Sequence, residues 1–260
     1  MSQSNPLYYE PKTLLLDIEA APAKAYIWDL RTRYVPIDQV AEDGFVLCWS
    51  AKWLGEENPT WFSSRWDYGE QAMVEEAWHL LDEADEVVTY NGNNYDLPRL
   101  NTEFLKYRLG PPAPYHSTDL YPVVKTNFRM LSRSLNHLLQ TLEMTEKMKH
   151  KGMALWTGCM NGVKEDQDLM EEYNVADVHR LEEVYPRLYP WITRPMNKAL
   201  WMPPTGKPTC HCGSTNVKIK GYKRTNAYSY VQYYCNDCGR YPRRANAVET
   251  GHDRRRDTLR

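Results

Sequence analysis

No run of apolar residues in this 260-residue chain is long enough to span a bilayer as a helix, so a transmembrane helix is not expected. The polar start from Met1 to Pro6 lacks the basic and apolar regions of a secretory signal, and a soluble, cytoplasmic protein with no membrane partner is expected. No internal repeat is visible, which sets repeat architectures aside. Cysteine is sparse outside one region: of six, only Cys48 and Cys159 stand alone, and both read as buried free thiols. Nor is there an overall excess of charge, since the net value is −2. That balance hides a division. Residues 207–260 hold 12 Lys/Arg against 4 Asp/Glu, or +8, which leaves 20 against 30, or −10, for residues 1–206. An acidic body suits metal-holding carboxylates, and a basic tail suits a polyanionic partner. The remaining composition, 42% hydrophobic and 25% charged, suits one good-sized core and a small second unit.

The body is organised around Leu14-Leu15-Leu16-Asp17-Ile18-Glu19-Ala20. Three leucines and Ile18 read as a strand buried on both faces. Asp17 and Glu19, two apart, project from the same face of its end. Like charges side by side near an apolar interior are costly unless a proton or a cation intervenes. Oxygen-only ligands on a rigid strand suit magnesium or manganese. Taken alone, D-x-E is common and reads more simply as a strand end with both acids in water.

Further strands are expected over Ala25–Trp28, Gly44–Trp53 and Pro59–Ser63, as a meander beside the first. A helix begins near Gly69 and Glu70, with Ala72, Met73, Ala77, Leu80 and Leu81 on its apolar face. Glu86–Tyr90 is a short buried strand running into the turn cluster Asn91 to Asn94. Helices are expected from Pro98 to about Leu109, over Ser134–Leu142 and over Glu165–Tyr189. Strands first, then strands alternating with helices, imply an α/β fold with helices packed on a mixed sheet. The expected division is a domain over 1–202, a Pro-rich linker over 203–208, a small unit over 209–248 and a mobile basic tail over 249–260.

Two more acids draw attention. Asp96 follows a strand and a loop, where α/β sheets present functional side chains, but it could also cap the next helix. Tyr173 and Asp177, four apart, share a helix face partly surrounded by Val175, Val178, Leu181 and Val184. Glu171, Glu172, Glu182 and Glu183 leave an exposed acid equally open.

Together these segments resemble the three motifs of the DEDD (DnaQ-like) exonuclease superfamily, which has a ribonuclease H-like fold. Asp17-Ile18-Glu19 matches D-x-E on the first strand, and Asn91 to Asp96, with Tyr95 before the acid, matches the second motif. Tyr173-Asn174-Val175-Ala176-Asp177 matches the third in its tyrosine (DEDDy) form, because Glu172 stands where the other branch has histidine. Ser134-Leu135 before a short helix also fits, and the likeness covers residues 12 to 190. The resemblance implies that Asp17, Glu19, Asp96 and Asp177 hold two Mg²⁺ or Mn²⁺ ions about 3.5–4 Å apart for phosphodiester hydrolysis. It further implies that Tyr173 orients the attacking water, a role suited to a phenol whose reference pKa is about 10. Asn91 and Tyr95 would contact the terminal nucleotide, or only shape the loop and fill the core.

In the tail, Cys210-His211-Cys212 and Cys235-Asn236-Asp237-Cys238 form two pairs separated by 22 residues. Clustered pairs in a chain without a secretion signal favour one structural zinc in a ribbon of strands, with His211 as a rival ligand. Val217–Lys220 and Tyr228–Tyr234 alternate as strands of such a ribbon. Lys218, Lys220, Lys223 and Arg224, interleaved with tyrosines, suit a single-stranded nucleic acid, or else solubilise a ribbon packed by its rings. Arg254 to Arg256 would add nonspecific phosphate affinity. The leading expectation is a metal-dependent 3′→5′ exonuclease on single strands, DNA before RNA. The rivals are a non-catalytic nucleic-acid-binding protein and a subunit whose ribbon binds a replication or repair protein.

Overall fold

In the computed structural model, residues 8–57, 60–144, 148, 151–226 and 228–248 are described; the expected basic tail, 249–260, lies outside them. By its contacts the chain divides into two units, Lys12–Tyr185 and Pro186–Arg260 with the N-terminal residues to Pro11.

In the first unit, β1 (Thr13–Ala20) is followed by the short pair β2 (Lys24–Ala25) and β3 (Val40–Glu42), then β4 (Val46–Trp53) and β5 (Trp61–Ser64). Helices α1 (Arg65–Tyr68) and α2 (Glu70–Glu83) lead to β6 (Glu86–Thr89). After it come α3 (Asp96–Lys106), β7 (His116–Asp119), α4 (Leu120–Asn127), α5 (Leu135–Thr141), α6 (Met153–Met160) and the long α7 (Lys164–Leu188). The main sheet has the order β5-β4-β1-β6-β7. β1 pairs antiparallel with β4 and parallel with β6, so the sheet is mixed, and helices flank it. The expected α/β class is what the chain adopts.

Leu14, Leu15 and Leu16 are at most 1% exposed, because a central strand covered on both faces needs apolar side chains on both. One core cluster joins Leu14, Leu16 and Ile18 to α2 and α3 through Met73, Ala77, Leu81, Leu100 and Phe104. A second joins Ala21, Leu47 and Cys48 to Leu155, Cys159, Met170 and Tyr173 from α6 and α7. Cys48 and Cys159 are free and buried, and burial pushes both thiols upward in pKa. Buried Glu86 at the start of β6 accepts from the Thr13 and Thr118 hydroxyls at 3.0 and 2.7 Å, tying three strands together.

The strand expected over Ala25–Trp28 stops at Ala25. Asp29 folds the chain over instead: its carboxylate accepts from Arg31 N and its carbonyl from Thr32 N, an Asx turn that breaks strand pairing.

In the second unit, β8 (Val217–Arg224) and β9 (Ser229–Cys235) form an antiparallel hairpin. Arg240 Nη1 donates to the carbonyls of Tyr189, Pro190 and Ile192, fixing the cysteine-bearing turns on the segment after α7. Among the described residues no helix is long and apolar enough to cross a membrane.

Candidate active site

At the end of β1 the burial pattern changes from continuous to alternating: Asp17 and Glu19 are half-buried on either side of buried Ile18. On α7 the inward face runs through Met170, Tyr173, Asn174, Asp177, Val178 and Leu181, spaced at three and four as a helix packed on a sheet requires. Tyr173 and Asp177 therefore sit one turn apart and are 7% and 3% exposed. Carboxylate oxygens of Asp17, Glu19 and Asp177 lie within 4.8 Å of one another. Three converging carboxylates with oxygen donors only fit a hard divalent cation.

Asp96 is outside that trio but touches the same strand. Its Oδ1 accepts from Ile18 N at 3.1 Å, between the two β1 acids. The parallel pairing of β1 with β6 runs only from Thr13 to Leu15, so the carboxylate takes a donor that the ladder leaves over. Asp96 heads α3 without acting as its cap; Tyr95 occupies the N-cap position, with no side-chain cap bond. Burial pushes the Asp96 carboxyl up to about 6, against the Ile18 N–H, and the charge of Asp119 adds to the rise.

The loop entering α3 is held from β7. Asp119 accepts from Asn91 N, Asn93 N and Tyr121 N at 2.7, 3.2 and 2.9 Å. Asn91 has φ of 70°, a left-handed conformation that asparagine tolerates better than most residues. A Cβ on Gly92 would overlap the Thr89 side chain. Asn91 borders a cleft of about 470 Å³ together with Asp17, Tyr90, Tyr121, Ser132 and Arg133. Tyr95 is 42% exposed, with the Arg99 guanidinium 4.9 Å from its ring centre.

Three supporting groups escaped sequence reasoning. Asn174, fully buried, donates through Nδ2 to Asp17 Oδ2 at 2.7 Å and accepts from Ser50 Oγ at 2.7 Å. It thereby links α7 and β4 to the first acid. Trp156 on α6 donates from Nε1 to Glu19 Oε2 at 3.2 Å and stacks edge-on against Tyr173, ring centres 6.3 Å apart. Asp119 is the third. A signal existed for Asn174, a polar residue on the apolar face of a long helix; none in the spacing marked Trp156 or Asp119.

In the second unit the four tail cysteines gather with sulfurs within 4.8 Å of one another. Cys210 and Cys238 Sγ are 3.6 Å apart, Cys212 and Cys235 Sγ 3.8 Å. A tetrahedron with Zn–S bonds of about 2.3 Å has edges of about 3.8 Å, so the set fits zinc and is far too open for disulfides. Hydrogen bonding from Cys210 holds the Cys212 thiol below its usual range, while the same contact raises Cys210 and burial raises Cys238. His211 is not part of the group; its Nδ1 is buried without a hydrogen-bond partner. Lys218, Lys220, Lys223 and Arg224 are all exposed on β8, and Lys218 Nζ lies 5.2 Å from the Tyr234 ring centre. A register shift between Ile219 and Gly221 interrupts the alternation of these cations.

A sequence-family profile described as RNase_H superfamily (RNase_H_2) matches residues 44–189, a span that begins after β1. Among solved structures, a family B DNA polymerase from the hyperthermophilic archaeon Pyrobaculum calidifontis is similar, with a TM-score of 0.50 and 16% sequence identity. The match covers 69% of this chain and 25% of the polymerase chain, so this protein spans about a quarter of that length. At such identity the likeness concerns the fold. No curated protein matches significantly.

Proposed function

Because the chain belongs to the RNase_H superfamily, we propose that it is a metal-dependent 3′→5′ exonuclease of the tyrosine DEDD branch, acting on single-stranded nucleic acid, DNA before RNA. The observation that carries this reading is the convergence of Asp17, Glu19 and Asp177 oxygens within 4.8 Å, from two elements far apart in sequence. Mg²⁺ or Mn²⁺ held by these acids, with Asp96 at the start of α3 bonded to β1 through Ile18 N, would supply water activation and charge neutralisation at the scissile phosphate. The chain's own groups do the positioning. Asn174 fixes the Asp17 carboxylate through its Nδ2, and the Trp156 indole N–H does the same for Glu19. Tyr173, steadied by the Trp156 ring, offers its phenol oxygen to orient the attacking water. Asn91 borders the cleft beside Asp17, which gives the terminal nucleotide room, and exposed Tyr95 on the same loop offers a ring to it. Glu172, five residues before Asp177, favours the tyrosine branch. In this reading residues 1–202 are the nuclease domain and 209–248 a zinc ribbon, whose Lys218, Lys220, Lys223 and Arg224 hold the strand.

The test uses 5′-labelled DNA and RNA oligomers with Mg²⁺, Mn²⁺ or EDTA, beside Asp17→Ala. A ladder shortening from the 3′ end, abolished by EDTA and by the substitution, is expected, faster on DNA. Faster shortening of RNA would assign the substrate to RNA. Intact oligomers with every metal, while binding persists, would replace the enzyme by a binding protein.

A further inference from the structure

Between β2 and β3 the chain makes an excursion whose large side chains face solvent. Tyr26, Trp28, Leu30 and Tyr34 are 78%, 97%, 92% and 75% exposed. Folded chains seldom leave so many adjacent large apolar groups in water unless something covers them in use. The excursion nonetheless has defined structure. Tyr26 N donates to Gln39 O at 2.9 Å, the Asp29 turn holds its middle, and a 3₁₀ turn over Ile37–Gln39 closes it.

We propose that residues 26–34 are a stacking platform for single-stranded nucleic acid, engaging the strand a few nucleotides from the acid cluster. The position along the strand rests on the exonuclease reading; the binding itself does not. Of the five large apolar groups exposed over residues 26–34, three are rings, the others being Ile27 and Leu30, and rings suit the faces of unpaired bases of any sequence. Arg31 and Arg33 lie between the rings, both exposed, offering cations to phosphates or guanidinium planes to bases. Asp29 is the one acid among residues 26–37, and its Oδ1 is occupied by Arg31 N. A surface built for an apolar protein partner has no need of two arginines among its aromatics; one built for a polyanion with exposed bases does. Distance agrees. Tyr26, the first ring of the platform, is seven residues beyond Glu19, so at most about 25 Å of chain separates them. Along a stacked strand rising about 3.4 Å per nucleotide, that is at most about seven nucleotides.

The experiment is fluorescence anisotropy of a labelled 20-nucleotide oligothymidylate in EDTA, comparing wild type, Y26A/W28A/Y34A and R31A/R33A. All five side chains are exposed, and unchanged melting temperatures would verify that both variants fold. The triple variant should bind about tenfold or more weakly, from base–ring stacking. In R31A/R33A the slope of log K against log salt should shrink by about 1.4, at about 0.7 per lost single-strand phosphate contact. Weaker binding by the variant, in a protein that hydrolyses no oligomer with any metal, would uphold the platform and defeat the exonuclease reading. Unchanged affinity and slope in both variants would overturn the platform whether or not hydrolysis occurs. Wild-type self-association lost in the triple variant, with oligomer affinity intact, would overturn it in favour of contact between copies.

Discussion

Asp96 is an acid whose surroundings oppose its charge. Burial raises its carboxyl from 3.8 to about 6, only partly offset by the Ile18 N–H. The folded protein thus holds a proton that the unfolded chain has released between about pH 4 and pH 6. Metal-free stability should fall as pH rises through that window, and the full cost of about 3 kcal/mol applies above pH 6. Asp96→Asn keeps the Oδ1 acceptor for Ile18 and removes the charge. In EDTA, urea melts of the variant should exceed wild type by about 2–3 kcal/mol at pH 7 and converge with it near pH 4. Added Mg²⁺ or Mn²⁺ should stabilise wild type more than the variant. A pH-independent difference would show that the carboxyl is not protonated in the fold. The sequence left Asp96 balanced between ligand and helix cap, because both roles follow a strand and a loop. In the fold Asp96 lies inside α3 after the N-cap Tyr95, and its carboxylate takes Ile18 N, 78 residues away, a contact that neither role encodes.

At the scale of elements, β1 and α7 form the site, and Asn174 links them. Asn174→Ala would remove the Oδ1 acceptor of Ser50 Oγ and the Nδ2 donor to Asp17 Oδ2. The expected cost is about 1–3 kcal/mol of stability. Mn²⁺ affinity, read by titration calorimetry, should weaken by about 10–100-fold, as for other groups that orient metal ligands. A loss of stability with unchanged Mn²⁺ affinity would make Asn174 structural only. β1 could be read directly, since three leucines followed by acids at i and i+2 announce a core strand whose half-buried end carries two carboxylates. The long α7 was equally plain from its periodicity. By contrast β7 has the sequence His-Ser-Thr-Asp, polar and too short to alternate, so Asp119 and its hold on the Asn91 loop stayed hidden. Helix α6 is apolar nearly all round (Met-Ala-Leu-Trp-Thr-Gly-Cys-Met), which erases the stripe that would have fixed the direction of Trp156. Contacts such as Asn174 with Asp17 join residues 157 apart, and no local pattern encodes them.

For the whole molecule, the division of charge and of metal chemistry coincide: carboxylates converge in the acidic part, and thiols in the basic part. These two sites should separate by chelation. The cysteine set must lose protons to bind zinc, so the stability of the β8–β9 hairpin should depend on metal and collapse in acid. Stripping metal from the cysteine set with a strong chelator, then restoring Mg²⁺ alone, should unfold the β8–β9 hairpin while the main sheet persists. Far-UV circular dichroism would show a small loss of strand signal and near-UV spectra a change in the tyrosine band, since Tyr230, Tyr233 and Tyr234 lie on β9. With Mg²⁺ present, kcat on a short oligomer should change less than about threefold, because the acids stand on β1 and α7. On the proposed strand-holding role of Lys218, Lys220, Lys223 and Arg224, the KM for a long strand should rise about tenfold and lose salt dependence. Equal loss of kcat on short and long substrates would mean instead that the cysteine site supports the catalytic acids, and the ribbon would no longer be an independent strand-holding device.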